Sequence, residues 1–575
     1  MFISELEIKN YRNLDGINIK FHPDITFLVG ENNLGKSNIL SLITTVLNAH
    51  NFSRDDFYDK NNEISVTLTL VLNEYEKGMF GDLFDPEDNS KVNIIFSQKS
   101  PDEFITLTHK ETGVNITNNT IKKILHINYD SLRNPNNELS FEKGKGTGKF
   151  FKFLIERYLK NNGSSDLDFI DETKIGNLIE YINILINKIK SIRDFQITSG
   201  IHSEVENLLS RVLTLTDSSK FGVTSSGYGV QYSIMIGLEI LVRMSYLTES
   251  RLEKLVYEKS EERVMPIIFS LDEPEIHLHP YMQRSLIKNI SDILNNTDEE
   301  YKELLKELFN IDAIIGQTII ATHSPNILLN DYRKIVRLFK QDDGDLIVKN
   351  GTEINLPKNI EKHLLMNMQY IKEIFFSKCV IIVEGESEYG CMDIFADKLN
   401  IDLDDSAISI LKANGAESIL PLMKLFEEFG IKSVGVIDKD KFIEKEHTFT
   451  GVANLLHTDF LDFEDELISK CFEDDRIDVL LSIIEQYDSQ GLTRSIQSKK
   501  LVKTARKYGL EITEELTGNY NFTQELDGTI LRLMFLSWFD INKSVILGRE
   551  IGYILERSLI PEVYMKAIIQ AQEML

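Results

Sequence analysis

The apolar run Asp24-Ile25-Thr26-Phe27-Leu28-Val29 stops at Gly30, and the chain continues Gly30-Glu31-Asn32-Asn33-Leu34-Gly35-Lys36-Ser37. From Ser37 to Leu47 the apolar residues then fall on one helical face. A buried strand, a glycine-containing turn and a helix in that order predict a parallel α/β sheet with a phosphate-holding loop at a strand end. The glycines let backbone N–H groups turn towards an anion, and the helix N-terminus adds its partial positive charge. On this reading Lys36 contacts the β/γ-phosphates and Ser37 ligates Mg²⁺. Asn32, Asn33 and Asn38 complete the loop.

A second apolar strand, Ile267-Ile268-Phe269-Ser270-Leu271, ends in Asp272-Glu273. Asp272 would hold Mg²⁺ and Glu273 would polarise the attacking water of a phosphoryl transfer. Ser225-Ser226-Gly227-Tyr228-Gly229 precedes the helical run Tyr232 to Leu247, which makes it a second candidate anion turn. In isolation a plain turn with an N-cap is the favoured reading. Ala321-Thr322-His323-Ser324-Pro325 ends a further strand; a lone histidine there also suits a structural role.

The last third carries a different chemistry. Glu384 follows the run Val380 to Val383, Gly385 permits a tight turn, and Glu388 lies one helical turn on. Asp438 follows the strand-like Val434-Gly435-Val436-Ile437, and Asp440 comes two residues later. Carboxylates at the ends of neighbouring parallel strands converge on one sheet edge. Their repulsion is relieved by a hard divalent cation, and oxygen ligands suit Mg²⁺ or Mn²⁺.

The 575 residues are too many for one core. The net charge of −27 argues against broad electrostatic coating of DNA but leaves a local basic groove open. Cys379, Cys391 and Cys471 have no metal-ligand spacing and read as free thiols of a reducing, cytoplasmic compartment. No signal peptide and no membrane-spanning run is read.

Residues Asp272 to Pro280, with Ala321 to Pro325 and the opening Ile8-Lys9-Asn10-Tyr11-Arg12-Asn13-Leu14, resemble ABC-type ATPases of the RecF/SMC-like kind. The resemblance assigns Ser226 and Gly227 to the signature motif, without its usual Leu-Ser-Gly-Gly-Gln form. It makes His323 the switch histidine and puts His279 in the D-loop region. Gln98, or the segment His126 to Arg133, is a candidate for the Q-loop. The resemblance also implies a homodimer or higher homo-oligomer with ATP at the interface. Glu384-Gly385-Glu386-Ser387-Glu388, Asn414-Gly415-Ala416 and Asp438-Lys439-Asp440 resemble the Toprim domain.

An ABC ATPase followed by Toprim is similar to the OLD (overcoming-lysogenisation-defect) nucleases, a family that includes the Gabija nuclease subunit and retron-associated effectors. The family implies a second metal on Asp462 and Glu464, with Asp459 a weaker alternative, and a late basic residue, Lys543 or Arg549. The expected fold is α/β: an N-terminal ABC P-loop ATPase with a helical insert, then a Toprim parallel sheet and a helical C-terminal region. The expected organisation is ATPase over 1–148 and 216–345, a helical and dimerising insert over 149–215, a linker over 346–370, and the nuclease region over 371–575. The implied function is an ATP-regulated, metal-dependent DNA endonuclease of bacterial anti-phage defence. A helicase, or a retron reverse transcriptase with its DNA, is the partner that would accompany it. The alternatives are an ATP-dependent DNA clamp without nuclease activity, and strand passage or primer synthesis.

Overall fold

The continuous apolar runs form the parallel central strands of two sheets, as strands covered on both faces require. The computed structural model describes residues 1–575 except 75, 78, 131–132, 134–137, 140–145, 163–171, 202–212, 260, 342, 357 and 513–515. The chain divides into two compact units, Met1–Ile354 and Asn355–Leu575.

In the first unit β1 (Phe2–Lys9), β2 (Asn18–Lys20), β3 (Ile25–Gly30), β4 (Ile64–Val71), β5 (Lys91–Gln98) and β6 (Thr106–His109) are followed by β7 (Leu125–Tyr129) and a hairpin of β8 (Thr198–Ile201) and β9 (Leu213–Thr216). Then come β10 (Tyr257–Lys259), β11 (Glu262–Asp272), β12 (Ala313–Ala321), β13 (Ile335–Lys340) and β14 (Leu346–Asn350). An antiparallel sheet runs β2-β1-β4-β5-β6. The second sheet runs β10-β11-β12-β3-β13-β14, with β7 also pairing β11. Its strands β7, β11, β12, β3 and β13 are parallel. All six residues of β3 are buried. The Lys36–Leu47 helix buries Ile39, Leu40, Leu42, Ile43, Val46 and Leu47 in a core shared by facing residues of both sheets.

Pro266 lies inside β11, although proline is normally excluded from central strands for want of an N–H. β10 pairs β11 only as far as Val264 and β7 begins at Ile267, so the proline falls in the gap between two neighbours.

In the second unit β15 (Cys379–Val383), β16 (Ile408–Lys412), β17 (Lys432–Ile437) and β18 (Leu455–His457) form a parallel sheet ordered β16-β15-β17-β18. The helices after residue 463 share one core with β15 and β17, so the C-terminal region is packed onto this parallel sheet itself. The three cysteines are buried free thiols. No helix among the described residues is long and apolar enough to cross a membrane.

Two expectations change. The insert is helical over Thr147–Asn162 and Glu172–Ile186, but Leu213-Thr214-Leu215-Thr216 is a strand, because its alternating β-branched residues pair with β8. Residues 163–171 and 202–212 of the expected helical insert lie outside the described residues. The expected linker 346–370 contributes β14 to the first unit, where Leu346 to Asn350 pair with β13, and part of the Lys358–Ile374 helix to the second.

Candidate active site

The phosphate loop joins β3 to the Lys36–Leu47 helix. Lys36 Nζ donates to the carbonyls of Gly30 at 2.8 Å and Glu31 at 2.7 Å. Ser37 Oγ donates to Asp272 Oδ1 at 3.0 Å, which brings the ends of β3 and β11 together as the sequence predicts. A cavity of about 680 Å³ is lined by Asn32, Asn33, Gly35, Lys36, Ser37, Asn38, Glu273 and His323, and also by Arg12 and Asn13. A side chain on Gly35 would collide with Asn13 and Leu14, so the opening motif packs directly under the loop.

The charges explain one another. Burial draws Lys36 down to about 8, although Glu273 and Asp272 oppose it. Burial pushes Asp272 up to about 6, against the hydrogen bond from Ser37 and with help from Glu273 and Asp130. Asp130 directly follows β7, so one end of the segment His126 to Arg133 approaches the site. Gln98 does not. Its amide clamps the Phe52 backbone, with Phe52 N donating to Oε1 at 2.7 Å, and it is buried in the antiparallel sheet.

Glu273 sits at φ +45° with its N–H held by the Ala321 carbonyl at 2.9 Å. His323 Nε2 lies 3.4 Å from Glu273 Oε1, and burial followed by the charge of Lys36 lowers the imidazole pKa. Glu275, not singled out from the sequence, fixes the histidine loop by accepting from Thr322 Oγ1 at 2.8 Å and His323 N at 2.6 Å. Ser226 and Gly227 lie at the N-terminus of the Tyr228–Ser245 helix, where Gln231 Nε2 donates to the Ser226 carbonyl at 2.7 Å. They are absent from the cavity lining of their own chain. His277 packs against Tyr228 and Tyr232, and His279 against Tyr281.

In the second unit Glu384 leaves β15, Asp438 leaves β17, and Asp438 N donates to Glu384 Oε2 at 3.4 Å. Glu388 lies in the first turn of the Glu386–Lys398 helix, and Asp440 follows β17 in a short helix. Asp462 caps the Phe463–Glu473 helix through Oδ1, which accepts from Asp465 N at 3.0 Å. Its Oδ2 accepts from Tyr508 OH at 2.8 Å and faces Lys507 at 3.1 Å and Lys543 at 3.4 Å. Glu464 accepts from Ser387 Oγ at 3.0 Å and stands 2.6 Å from Lys543 Nζ.

Lys543 is held at a break between the Gly528–Asn542 and Val545–Ile554 helices. Asn542 Nδ2 bonds the Trp538 carbonyl on one side, and Ser544 caps the next helix on the other. Arg549 is not brought to these carboxylates: it pairs with Asp393 Oδ2 at 3.0 Å and Tyr553 OH at 2.9 Å. Asp459 is exposed. Lys507 and Tyr508 were not foreseen; the only local signal is their adjacency at a helix end.

The mutual field is strong. Burial, then the charge of Glu464, pushes Glu388 up to about 8. Burial, then Glu388, Glu384, Asp462 and Glu464, raises Asp438 well above the usual range. Asp462 is lowered, because Lys543, Lys507 and its hydrogen bonds outweigh its burial. Among the described residues no three acidic, histidine or cysteine side chains stand ready as a metal shell. In this arrangement the Lys543 ammonium supplies the counter-charge. The donors nevertheless fit a hard cation. They are all oxygen, Asp440 Oδ1 is buried without a hydrogen bond, and Glu464 Oε2 has only the poorly directed approach of Lys543.

The AAA ATPase domain family matches residues 1–158 and 154–328, more than half of the chain. The TOPRIM domain described as overcoming lysogenization defect protein-like matches 375–440. The chain belongs to the AAA ATPase family and carries an OLD-like Toprim domain. This ATPase–Toprim chain is 24% identical over 583 residues to the Old nuclease of Escherichia phage P2, covering 90% of each. It is 23% identical over 529 residues to Endonuclease GajA of Bacillus cereus strain HuB5-5, covering 76% of this chain and 74% of that protein. The C-terminal region of the Xanthomonas campestris OLD protein aligns at 18% identity and a TM-score of 0.24, over 35% of this chain and 95% of that one.

Proposed function

We infer that the protein is an ATP-regulated, metal-dependent DNA endonuclease. The observation that carries this reading is geometric: Asp438 N bonds Glu384 across two strand ends, Ser387 beside Glu388 bonds Glu464, and Asp462 and Glu464 both face Lys543. Glu384, Glu388, Asp438 and Asp440 would hold one divalent cation, Mg²⁺ or Mn²⁺, and Asp462 with Glu464 a second. Such ions supply an activated water and neutralise charge on a phosphodiester. Lys543 faces the same carboxylates and would turn its ammonium to the phosphate when a cation takes over Glu464. Ser387 and Tyr508 hold Glu464 and Asp462 in orientation.

In the ATPase unit, Lys36 would exchange two carbonyl partners for phosphate oxygens. Ser37 and Asp272 would hold Mg²⁺, and Glu273 would orient water against His323. Ser226 and Gly227 lie outside their own cavity, which supports completion of the site by a second copy and hence a homo-oligomer. Defence of the bacterial cytoplasm against phage is the role we attach on resemblance, with a helicase or a retron reverse transcriptase and its DNA as partner.

The test is nicking of plasmid DNA with Mg²⁺ or Mn²⁺, with and without ATP. Cleavage should vanish in Glu384→Ala and change its ATP response in Lys36→Ala. No cleavage by the wild type in either metal would leave the non-cutting clamp as the better reading.

A further inference from the structure

The Ser498–Tyr508 helix, Ser-Lys-Lys-Leu-Val-Lys-Thr-Ala-Arg-Lys-Tyr, carries five cations and no acid in a chain of net charge −27. At about 100° per residue, Lys499, Lys500, Lys503, Arg506 and Lys507 fall within an arc of about 120°. All five are exposed. The opposite face buries Leu501, Thr504, Ala505 and Tyr508, so the stripe cannot rotate away from solvent. Lys499, Lys500, Lys503 and Arg506 make no ion pair among the described residues. The stripe ends on the carboxylate centre: Lys507 Nζ lies 3.1 Å from Asp462 Oδ2 and 2.8 Å from Asp540 Oδ1.

We propose that this helix is the docking track for a nucleic-acid backbone, with successive phosphates of a DNA strand on Lys500, Lys503 and Arg506, leading the strand to the carboxylates at Lys507. The inference rests on the nuclease reading for what happens at the end of the track. Charge selects the occupant. A strongly acidic protein repels DNA unless a local patch reverses the field, and this stripe is such a patch beside the site where a phosphodiester would be cut. Lys500 and Lys507 are about 10 Å apart along the helix axis, enough to meet more than one phosphate. The cations lie on one element, so they move together and hold a fixed spacing. Lys507 adds a link to the carboxylates, because a phosphate that draws its ammonium from Asp462 removes one of the two cations facing Oδ2 and leaves Lys543 and the Tyr508 hydroxyl there.

The experiment uses the full chain and a 30-base-pair duplex in EDTA, so that binding is read without cutting. Fluorescence anisotropy is followed over a series of salt concentrations for wild type, K500A/K503A/R506A and K500R/K503R. With about 0.9 in the log–log salt slope per phosphate contact, the alanine variant should lose about 2 to 3 of the slope. Its affinity in low salt should fall at least about tenfold, and the arginine variant should bind like wild type. Unchanged circular dichroism melts establish that all three are folded. An alanine variant with wild-type affinity and slope overturns the proposal, and so does an arginine variant as weak as alanine. Nicking in Mn²⁺ is scored separately. Wild type that binds with the expected slope but never nicks removes the nuclease reading and leaves the track. Wild type that nicks while the alanine variant binds normally removes the track and leaves the nuclease.

Discussion

Lys36 combines burial with a functional charge, and its behaviour is therefore open to titration. Lys36→Ala removes a charge-assisted contact of about 1.5–3 kcal/mol, so nucleotide affinity should fall about 10- to 100-fold in a fluorescent-ATP titration. In the free protein Lys36 loses its proton near pH 8, and phosphate requires the protonated form. Affinity should hold below about pH 8 and weaken above it by up to about tenfold per pH unit. A flat profile between pH 7 and 10 would contradict the placement of Lys36 on the phosphates. At the carboxylate centre Lys543 and Arg549 separate cleanly. Lys543→Ala removes the cation that stands 2.6 Å from the buried Glu464, leaving Asp462 only Lys507, and should cost cleavage about 100-fold or more, whereas Arg549→Ala loses only its pair with Asp393, away from these carboxylates, and should stay within a few-fold of wild type. Glu388→Gln removes a carboxyl that burial and Glu464 hold at about 8. A raised carboxyl pKa stabilises the fold at low pH and loses that contribution as pH rises from the ordinary range to about 8. Metal-free Glu388→Gln should therefore melt above wild type at pH 8 and show a smaller rise on adding Mn²⁺, as read by differential scanning calorimetry.

Helix packing decides whether these residues meet. The Glu386–Lys398 and Val545–Ile554 helices cross with their backbones in contact at Gly390 and Gly548. A side chain on Gly390 would strike the Val545 carbonyl, and one on Gly548 the Ser387 carbonyl. The crossing carries Glu388 on one helix and follows directly from Lys543 and Ser544 on the other. Gly548→Ala should destabilise the second unit by about 1–3 kcal/mol and pull Lys543 away from Glu464. Urea denaturation and the nicking assay should change together. A variant with normal stability and normal cleavage would show that the crossing has slack.

At the scale of the whole molecule, the turn before the Tyr228–Ser245 helix leaves Gly227 exposed and Ser226 half-buried, and on the proposed reading ATP should join copies there. Ser226→Arg should leave nucleotide affinity within a few-fold of wild type, while light scattering shows loss of any ATP-dependent increase in mass. The nucleotide loop and the two strand-end acid motifs were legible in the sequence, because their geometry is local: a strand, a turn and the next helix are bonded in series and need no distant partner. The α/β class followed from the same runs. Leu213 to Leu215 are a strand rather than part of a helical insert because a short segment takes its state from its pairing partner, here β8. Arg12, Asn13 and Glu275 at the first site, and Lys507 and Tyr508 at the second, are brought in by contacts between residues far apart in the chain. Choosing Lys543 over Arg549 needed a helix break placed 81 residues from Asp462 and a crossing that only two glycines permit. Side-chain chemistry can be read along the chain. Which charges face one another depends on how the helices pack, and that packing is set by side chains of the whole core acting together.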